Sequence, residues 1–178
     1  MTVVSLDQDT LKRAIRDVPN FPKPGILFRD ITPLLQNGPM FQRVIDEFVS
    51  RYQDKKVDAV VAIESRGLIF GSALAYRLGV GLVPVRKAGK LPHKTLQATY
   101  ALEYGEGILE IHVDGLSKGH RVVLIDDLLA TGGTMAAVVD LMERLGASVL
   151  ETAFVVELTA LKGRAKLGKH PICSLVQY

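Results

Sequence analysis

Read as a pattern of apolar and polar positions, the chain alternates short continuous apolar runs with longer stretches of helical spacing. The runs fall at 58–63 (D-A-V-V-A-I), 81–86, 122–125 (V-V-L-I), 148–158 and 172–176. Such runs are what a strand buried on both faces of a parallel sheet requires. Between them Phe41, Val44, Ile45, Phe48 and Tyr52 recur every three or four residues, as do apolar residues over 68–78 and Met135, Val138, Val139, Met142 and Leu145. Each set predicts an amphipathic helix. Asn37 and Pro39 can start the first, and Gly79 and Gly146 stop the other two. Strands alternating with helices predict an α/β fold, a central parallel sheet flanked by helices, with ligands at the carboxyl ends of the strands.

The remaining stretches are less regular. Leu11, Ala14, Ile15 and Val18 predict a surface helix between Asp7 and Val18, with Ser5 or Asp7 as its cap. Pro19, Pro22, Pro24 and Pro33 then rule out a continuous helix and predict an extended, lid-like hood over about residues 19–35. Residues 87–99 lack periodicity and carry three lysines, which predicts a long mobile loop. It leads into a hairpin of 100–104 with 108–113, so a flexible loop is expected over about 87–113; Leu109, Ile111 and Val113 share one face, and His112 alternates onto the polar one. A short helix is expected over 161–167.

Three polar turns at the predicted carboxyl edge carry chemistry. The first is Glu64-Ser65-Arg66-Gly67, and the second is Arg86-Lys87. The third follows the acid pair Asp126-Asp127 as Ala130-Thr131-Gly132-Gly133-Thr134, joining a strand to a helix. Glycines let backbone approach a ligand closely, and amides and hydroxyls at a helix N-terminus suit a phosphate dianion. An adjacent acid pair suits ribose hydroxyls or a metal ion. Two anion cradles flanking an acid pair imply a ligand with phosphates at both ends of a ribose. No G-x-G-x-x-G follows a strand and no G-x-x-x-x-G-K-[ST] occurs, so dinucleotide binding and P-loop chemistry lose their main support.

Composition narrows the setting. A chain of 178 residues, 48% hydrophobic and 23% charged, fits one globular domain over 1–178. No apolar run approaches the ~18 residues of a membrane span, and Asp7, Asp9, Lys12 and Arg13 interrupt any signal-peptide core, so a cytoplasmic protein is expected. The single Cys173 excludes intrachain disulfides. With 22 basic against 19 acidic residues mixed along the chain, the balance favours a small anionic substrate over a nucleic-acid surface.

The string R-V-V-L-I-D-D-L-L-A-T-G-G-T at 121–134 resembles the phosphoribosyl-pyrophosphate (PRPP) motif of the type I phosphoribosyltransferases. F-P-K-P-G-I-L-F-R-D-I-T-P-L-L, E-S-R-G-L-I-F-G, V-R-K-A-G-K-L-P, L-E-Y-G and V-E-L-T-A-L-K-G-R resemble the branch of that family that uses adenine. The resemblance implies transfer of the phosphoribosyl group of PRPP to adenine, giving AMP and pyrophosphate, by a cytoplasmic homodimer. It implies that Ala130, Thr131, Gly132, Gly133 and Thr134 hold the 5′-phosphate and that Asp126 and Asp127 hold the ribose hydroxyls. Magnesium would be carried mainly by PRPP, beside that acid pair. Glu64, Ser65, Arg66, Gly67, Arg86, Lys87 and Lys90 would serve the pyrophosphate, with a cis peptide at Glu64-Ser65. Leu27, Phe28 and Arg29 would form the hood over adenine, with Leu128 and Leu158 as its floor. Glu103, as general acid/base, and Tyr104 would close over the site, and Arg66 would stabilise the leaving group. A non-catalytic PRPP-binding regulator, an enzyme for another base and a receiver-like phosphoacceptor are the competing readings. The first has no need of the lid, the Arg66 turn and the hood together, the second shares everything except the hood, and the third has no use for A-T-G-G-T.

Overall fold

Five consecutive buried side chains make β3 (Ala59–Ile63) the kind of strand that survives only between other strands. The computed structural model, which describes residues 6–101 and 106–178, places it inside a seven-stranded sheet. β3 pairs in parallel with β4 (Gly81–Lys87) on one side and β7 (Arg121–Leu129) on the other. β8 (Ser148–Glu157) and β9 (Ile172–Gln177) continue the parallel array beyond β7. At the opposite edge β5 (Thr95–Ala101) and β6 (Glu106–His112) add an antiparallel ribbon, with β6 pairing to the end of β4.

Alternation along the strands builds a core on each face. Val60 and Ala62 of β3, with Val123 and Ile125 of β7, pack under α3 (Gly38–Tyr52) and α4 (Arg66–Leu78) against Phe48, Phe70 and Leu74. Val61, Ile63, Val122 and Leu124 face the other way, onto Met135, Val138, Leu141 and Met142 of α5 (Gly133–Leu145). Each such aliphatic side chain contributes about 1.5–3 kcal/mol on full burial, so both faces are strongly specified.

Several expected boundaries move. The first helix, α1 (Gln8–Arg13), capped by the Asp7 carboxylate, ends well before Val18, because 16–19 form β1 (Arg16–Pro19) against β2 (Leu27–Asp30). Within the hood, 32–36 is a helix, α2 (Thr32–Gln36), since a proline in a first turn forfeits no intrahelical bond. The expected loop over 87–99 is shorter. From Thr95 onward β5 pairs residue by residue with β6, because Leu96 and Ala98 can lie on the second core while intervening residues face water. The short helix at 161–167 is two 3-10 turns, Thr159–Leu161 and Gly163–Leu167. Glu64-Ser65 is a cis peptide.

Candidate active site

β7 does not stop at its apolar run but continues through the acid pair to Leu129, so Asp126 and Asp127 stand inside a strand rather than beyond it. Both line a cavity of about 500 Å³, together with Glu64, Ser65, Arg66, Lys87, Lys90, Tyr100 and Thr134. Asp127 is 5% exposed and accepts a 2.5 Å bond from Arg66 Nε. Asp126 accepts the Asp127 amide at 2.9 Å. Burial, and then the charge of Asp127, push the Asp126 carboxyl well above the usual carboxylate range, with the Asp127 amide and Arg66 opposing them. Gly67 is what lets the two turns meet: a Cβ there would lie 2.8 Å from Asp126 Oδ1 and 3.0 Å from the Ile125 carbonyl.

The Glu64 turn and the end of β4 are tied by charge. Glu64 accepts Arg86 Nε at 2.6 Å and the Lys87 amide at 2.9 Å. Burial opposes ionisation of Glu64, yet the Lys87 amide and Arg86 outweigh it and hold the carboxyl below its ordinary value. A carboxylate so engaged orients cations; it offers an anionic ligand nothing of its own. Among the described residues α4 starts at Ser65 without a side-chain cap, so its first N–H groups remain available at the cavity.

The third turn encloses a pocket of about 70 Å³ lined by Ala130, Thr131, Gly132, Thr134 and Leu128 among others. Here too the helix begins without a side-chain cap among the described residues, at Gly132 in the left-handed conformation (φ 79°). A Cβ on Gly132 would lie 2.3 Å from the Gly163 carbonyl oxygen. Both conformation and packing therefore require glycine there.

The hood residues divide. Phe28 meets Phe21 edge-on at 5.2 Å between ring centroids and lines a hollow of about 250 Å³ with Val18, Phe21 and Asp30, while the Arg66 guanidinium of the main cavity lies 5.7 Å from its ring. Leu27 and Arg29, one residue either side, point to the opposite face, as strand alternation demands. They line a separate hollow of about 270 Å³ with Leu158 and Tyr178. Arg29 is bonded to Asp17 and stacks 3.8 Å over the Tyr178 ring. Leu128 lines the small phosphate-sized pocket and packs against the same core cluster as Leu158. Glu103 and Tyr104 lie outside the described residues.

Sequence reasoning missed three supports. Gly163 packs its backbone onto the third turn, and the following Arg164 is fixed by two 2.6 Å bonds to buried Glu157. Tyr178 braces Arg29. Glu110, 2% exposed, accepts several amides of the 88–94 connection. A lone charge inside I-L-E-I-H was the available signal for Glu110; Gly163 and Arg164 stand in V-E-L-T-A-L-K-G-R, with nothing to say what they touch, and nothing local marked Tyr178.

Comparison with known proteins bears on this geometry. The phosphoribosyl transferase domain family matches residues 30–172. An adenine phosphoribosyltransferase from a Roseiflexus species is 58% identical over 92% of this chain and 95% of its own. The crystal structure of the adenine phosphoribosyltransferase from Thermoanaerobacter pseudethanolicus superposes with a TM-score of 0.93 at 49% identity, covering 97% of this chain and 100% of that one. The Saccharomyces cerevisiae adenine phosphoribosyltransferase, complexed with an imino-altritol bisphosphate and adenine, gives 0.90 at 46% identity over 94% and 97% of the two chains.

Proposed function

The chain belongs to the phosphoribosyltransferase family, among its adenine phosphoribosyltransferases, and on that premise we propose a magnesium-dependent transfer of the 5-phosphoribosyl group of PRPP to adenine, giving AMP and pyrophosphate in purine salvage. The observation that carries this reading is the meeting of two uncapped helix starts and an acid pair in one cavity at the carboxyl edge of the sheet. Ala130 to Thr134 take the 5′-phosphate on the amides of α5, and Asp126 and Asp127 take the ribose hydroxyls. Ser65, Arg66, Gly67, Lys87 and Lys90 surround the pyrophosphate, and Glu64 aims Arg86 and the Lys87 backbone.

In the reaction a purine ring nitrogen bonds to the anomeric carbon while the bond to the pyrophosphate oxygen breaks, its electron pair leaving with the pyrophosphate. Arg66, Lys87 and Lys90 meet the charge that develops there. The ring nitrogen must also lose a proton, and Glu103 is the candidate base. The carboxylate oxygens of Asp126 and Asp127 are hard donors that suit magnesium, and two of them leave most of its shell to PRPP oxygens. When bound, the ion would neutralise pyrophosphate charge.

Adenine enters against Phe28, which stacks on it; Leu158 lies in the separate hollow with Leu27 and Arg29. β2 is paired on one side only, so alternate backbone groups at Leu27 and Arg29 are open to read the exocyclic amine. A site whose acceptors need that donor discriminates by roughly 10⁴-fold against a 6-oxo purine. Measured as pyrophosphate release from PRPP with magnesium, kcat/KM should therefore be far higher with adenine than with hypoxanthine or guanine, and comparable values would end the adenine assignment. A homodimer is supported by Ile69 and Tyr76, two turns apart on one face of α4 and 41% and 85% exposed. Sedimentation of a Tyr76→Glu variant as a monomer would bear this out. A cytoplasmic setting is supported by the lone Cys173, and among the described residues no helix is long and apolar enough to cross a membrane.

A further inference from the structure

Glu110 is a carboxylate 2% exposed on β6, on the face opposite the core residues Leu109 and Ile111, and no ion pair to it is found among the described residues. A buried carboxylate persists only when donors surround it. Here Oε1 accepts the backbone amides of Lys90 and Leu91, each at 2.9 Å. Oε2 accepts Thr95 Oγ1 at 3.3 Å and Gln97 Nε2 at 3.2 Å. Burial alone would favour the protonated acid, but the Leu91 amide, Gln97 and the amides of Gly89 and Lys90 hold the carboxyl below its ordinary value.

The two amide donors sit on the connection between β4 and β5, which carries the cavity-lining Lys90, while Thr95 and Gln97 stand on β5 itself. The Lys90 peptide is gripped from both directions: its N–H by Glu110 and its C=O by Arg86 Nη1 at 3.0 Å, while Arg86 itself is held by Glu64. In the register of the sheet, Arg86 and Glu110 are direct partners across β4 and β6. A clamp built this way sets where the Lys90 ammonium and the end of β4 stand before any ligand arrives.

We propose that Glu110 is a positioning residue for the pyrophosphate half of the site, fixing the 88–94 connection through the Lys90 and Leu91 amides so that Lys87 and Lys90 are preorganised for the departing anion. The inference rests on the reading of Lys90 as a pyrophosphate contact. Backbone amides cannot become acceptors, so Oε1 must stay an oxygen. On the other side the Thr95 hydroxyl can rotate and the Gln97 amide can flip, so that side tolerates an N–H₂. Glu110→Gln should therefore preserve the clamp, whereas Glu110→Leu keeps the volume and loses every acceptor.

The experiment is steady-state kinetics on Glu110→Leu, Glu110→Gln and Lys90→Met with PRPP and adenine varied separately. Lys90→Met and Glu110→Leu should each raise KM for PRPP by about fivefold or more, with KM for adenine within about twofold of wild type, and Glu110→Gln should restore KM for PRPP to within about twofold. If Lys90→Met leaves KM for PRPP unchanged, the pyrophosphate reading of Lys90 fails and this proposal with it. If Lys90→Met raises it while Glu110→Leu does not, or if Glu110→Leu shifts both KM values alike, or if Glu110→Gln fails to rescue, only the Glu110 proposal is overturned. Should Glu110→Leu not fold, amide hydrogen exchange of the wild-type protein decides: slow exchange at Lys90 and Leu91 without ligand upholds the clamp, and exchange at unstructured rates overturns it.

Discussion

The two strand-to-helix turns of the site do related work by different physics. The turn after β3 is held by charge: Arg66 is bonded to Asp127, and Glu64 to Arg86. The turn after β7 has no charged side chain between Ala130 and Gly133, and its shape comes from Gly132 lying against the backbone of Gly163. A polyanion competes for the contacts that shape the first turn, so binding must rearrange ion pairs there. It competes for nothing in the second, where the amides are free and the backbone is sterically fixed. The phosphate cradle is thus set by packing in advance, while the turn after β3 is set by exchangeable ion pairs.

The largest effect should come from breaking the packed turn. In Gly132→Val a β-branched residue must adopt φ near 79° with its Cβ 2.3 Å from the Gly163 oxygen, which the backbone cannot accommodate in place. PRPP affinity by calorimetry should fall by roughly a hundredfold or more, about 2.7 kcal/mol. The obstruction comes from the protein's own second turn and not from the ligand. Gly163→Ala, whose Cβ would lie 2.3 Å from the Ala130 carbonyl oxygen, should produce the same loss. Affinity within a few-fold of wild type in both would show the turn to be set by something else.

That contrast also explains what the sequence disclosed. The apolar runs and helical spacings gave the sheet, its helices and the acid pair, because each is a local pattern read by a single period. The glycine turn after β7 was visible as a motif, but its partner Gly163, 31 residues further on, was not, since contact between two backbones leaves no periodic trace. Of the expected loop only 95–99 pairs as strand, which its sequence hides because β5 is an edge strand whose partner, β6, lies beyond it and whose exposed positions are polar. β7 runs on to Leu129, a length its apolar run does not disclose, and so Leu128 borders the cradle as well as the core cluster it shares with Leu158.

A second test addresses the charged turn. Arg66→Met removes a pyrophosphate contact and also leaves buried Asp127 without its cation, beside a second carboxylate. Removal of one such donor from a developing anion costs on the order of 10²–10³ in kcat. The loss should appear in kcat/KM, and Arg66→Lys should recover little of it, because a lysine cannot keep the Nε bond to Asp127 and meet the anion as well. Full recovery by lysine would mean that point charge alone, and not the ion-pair geometry, sets this turn.

The smallest effect concerns the acid pair between the two turns. Burial first, and the Asp127 charge second, raise the folded-state pKa of Asp126 above its unfolded value near 4. For a carboxyl shifted upward, the native state holds its proton more tightly than the unfolded chain does. Its contribution to stability is therefore greatest below the unfolded pKa and is lost as pH rises towards the folded one. Ionised Asp126 is therefore an unfavourable charge in the ligand-free protein, which the ribose hydroxyls, magnesium or Arg66 would offset when PRPP binds. Asp126→Asn removes the charge and keeps the oxygen that accepts the Asp127 amide. Its ligand-free Tm at neutral pH should rise by a few degrees, as ~1 kcal/mol does in a chain of this size, and the gain should shrink in acid. KM for PRPP should worsen in the same variant. A Tm that is unchanged or lower at neutral pH, or a gain that persists undiminished at low pH, would show that the acid pair is not held under electrostatic stress and that both turns are already matched to the empty site.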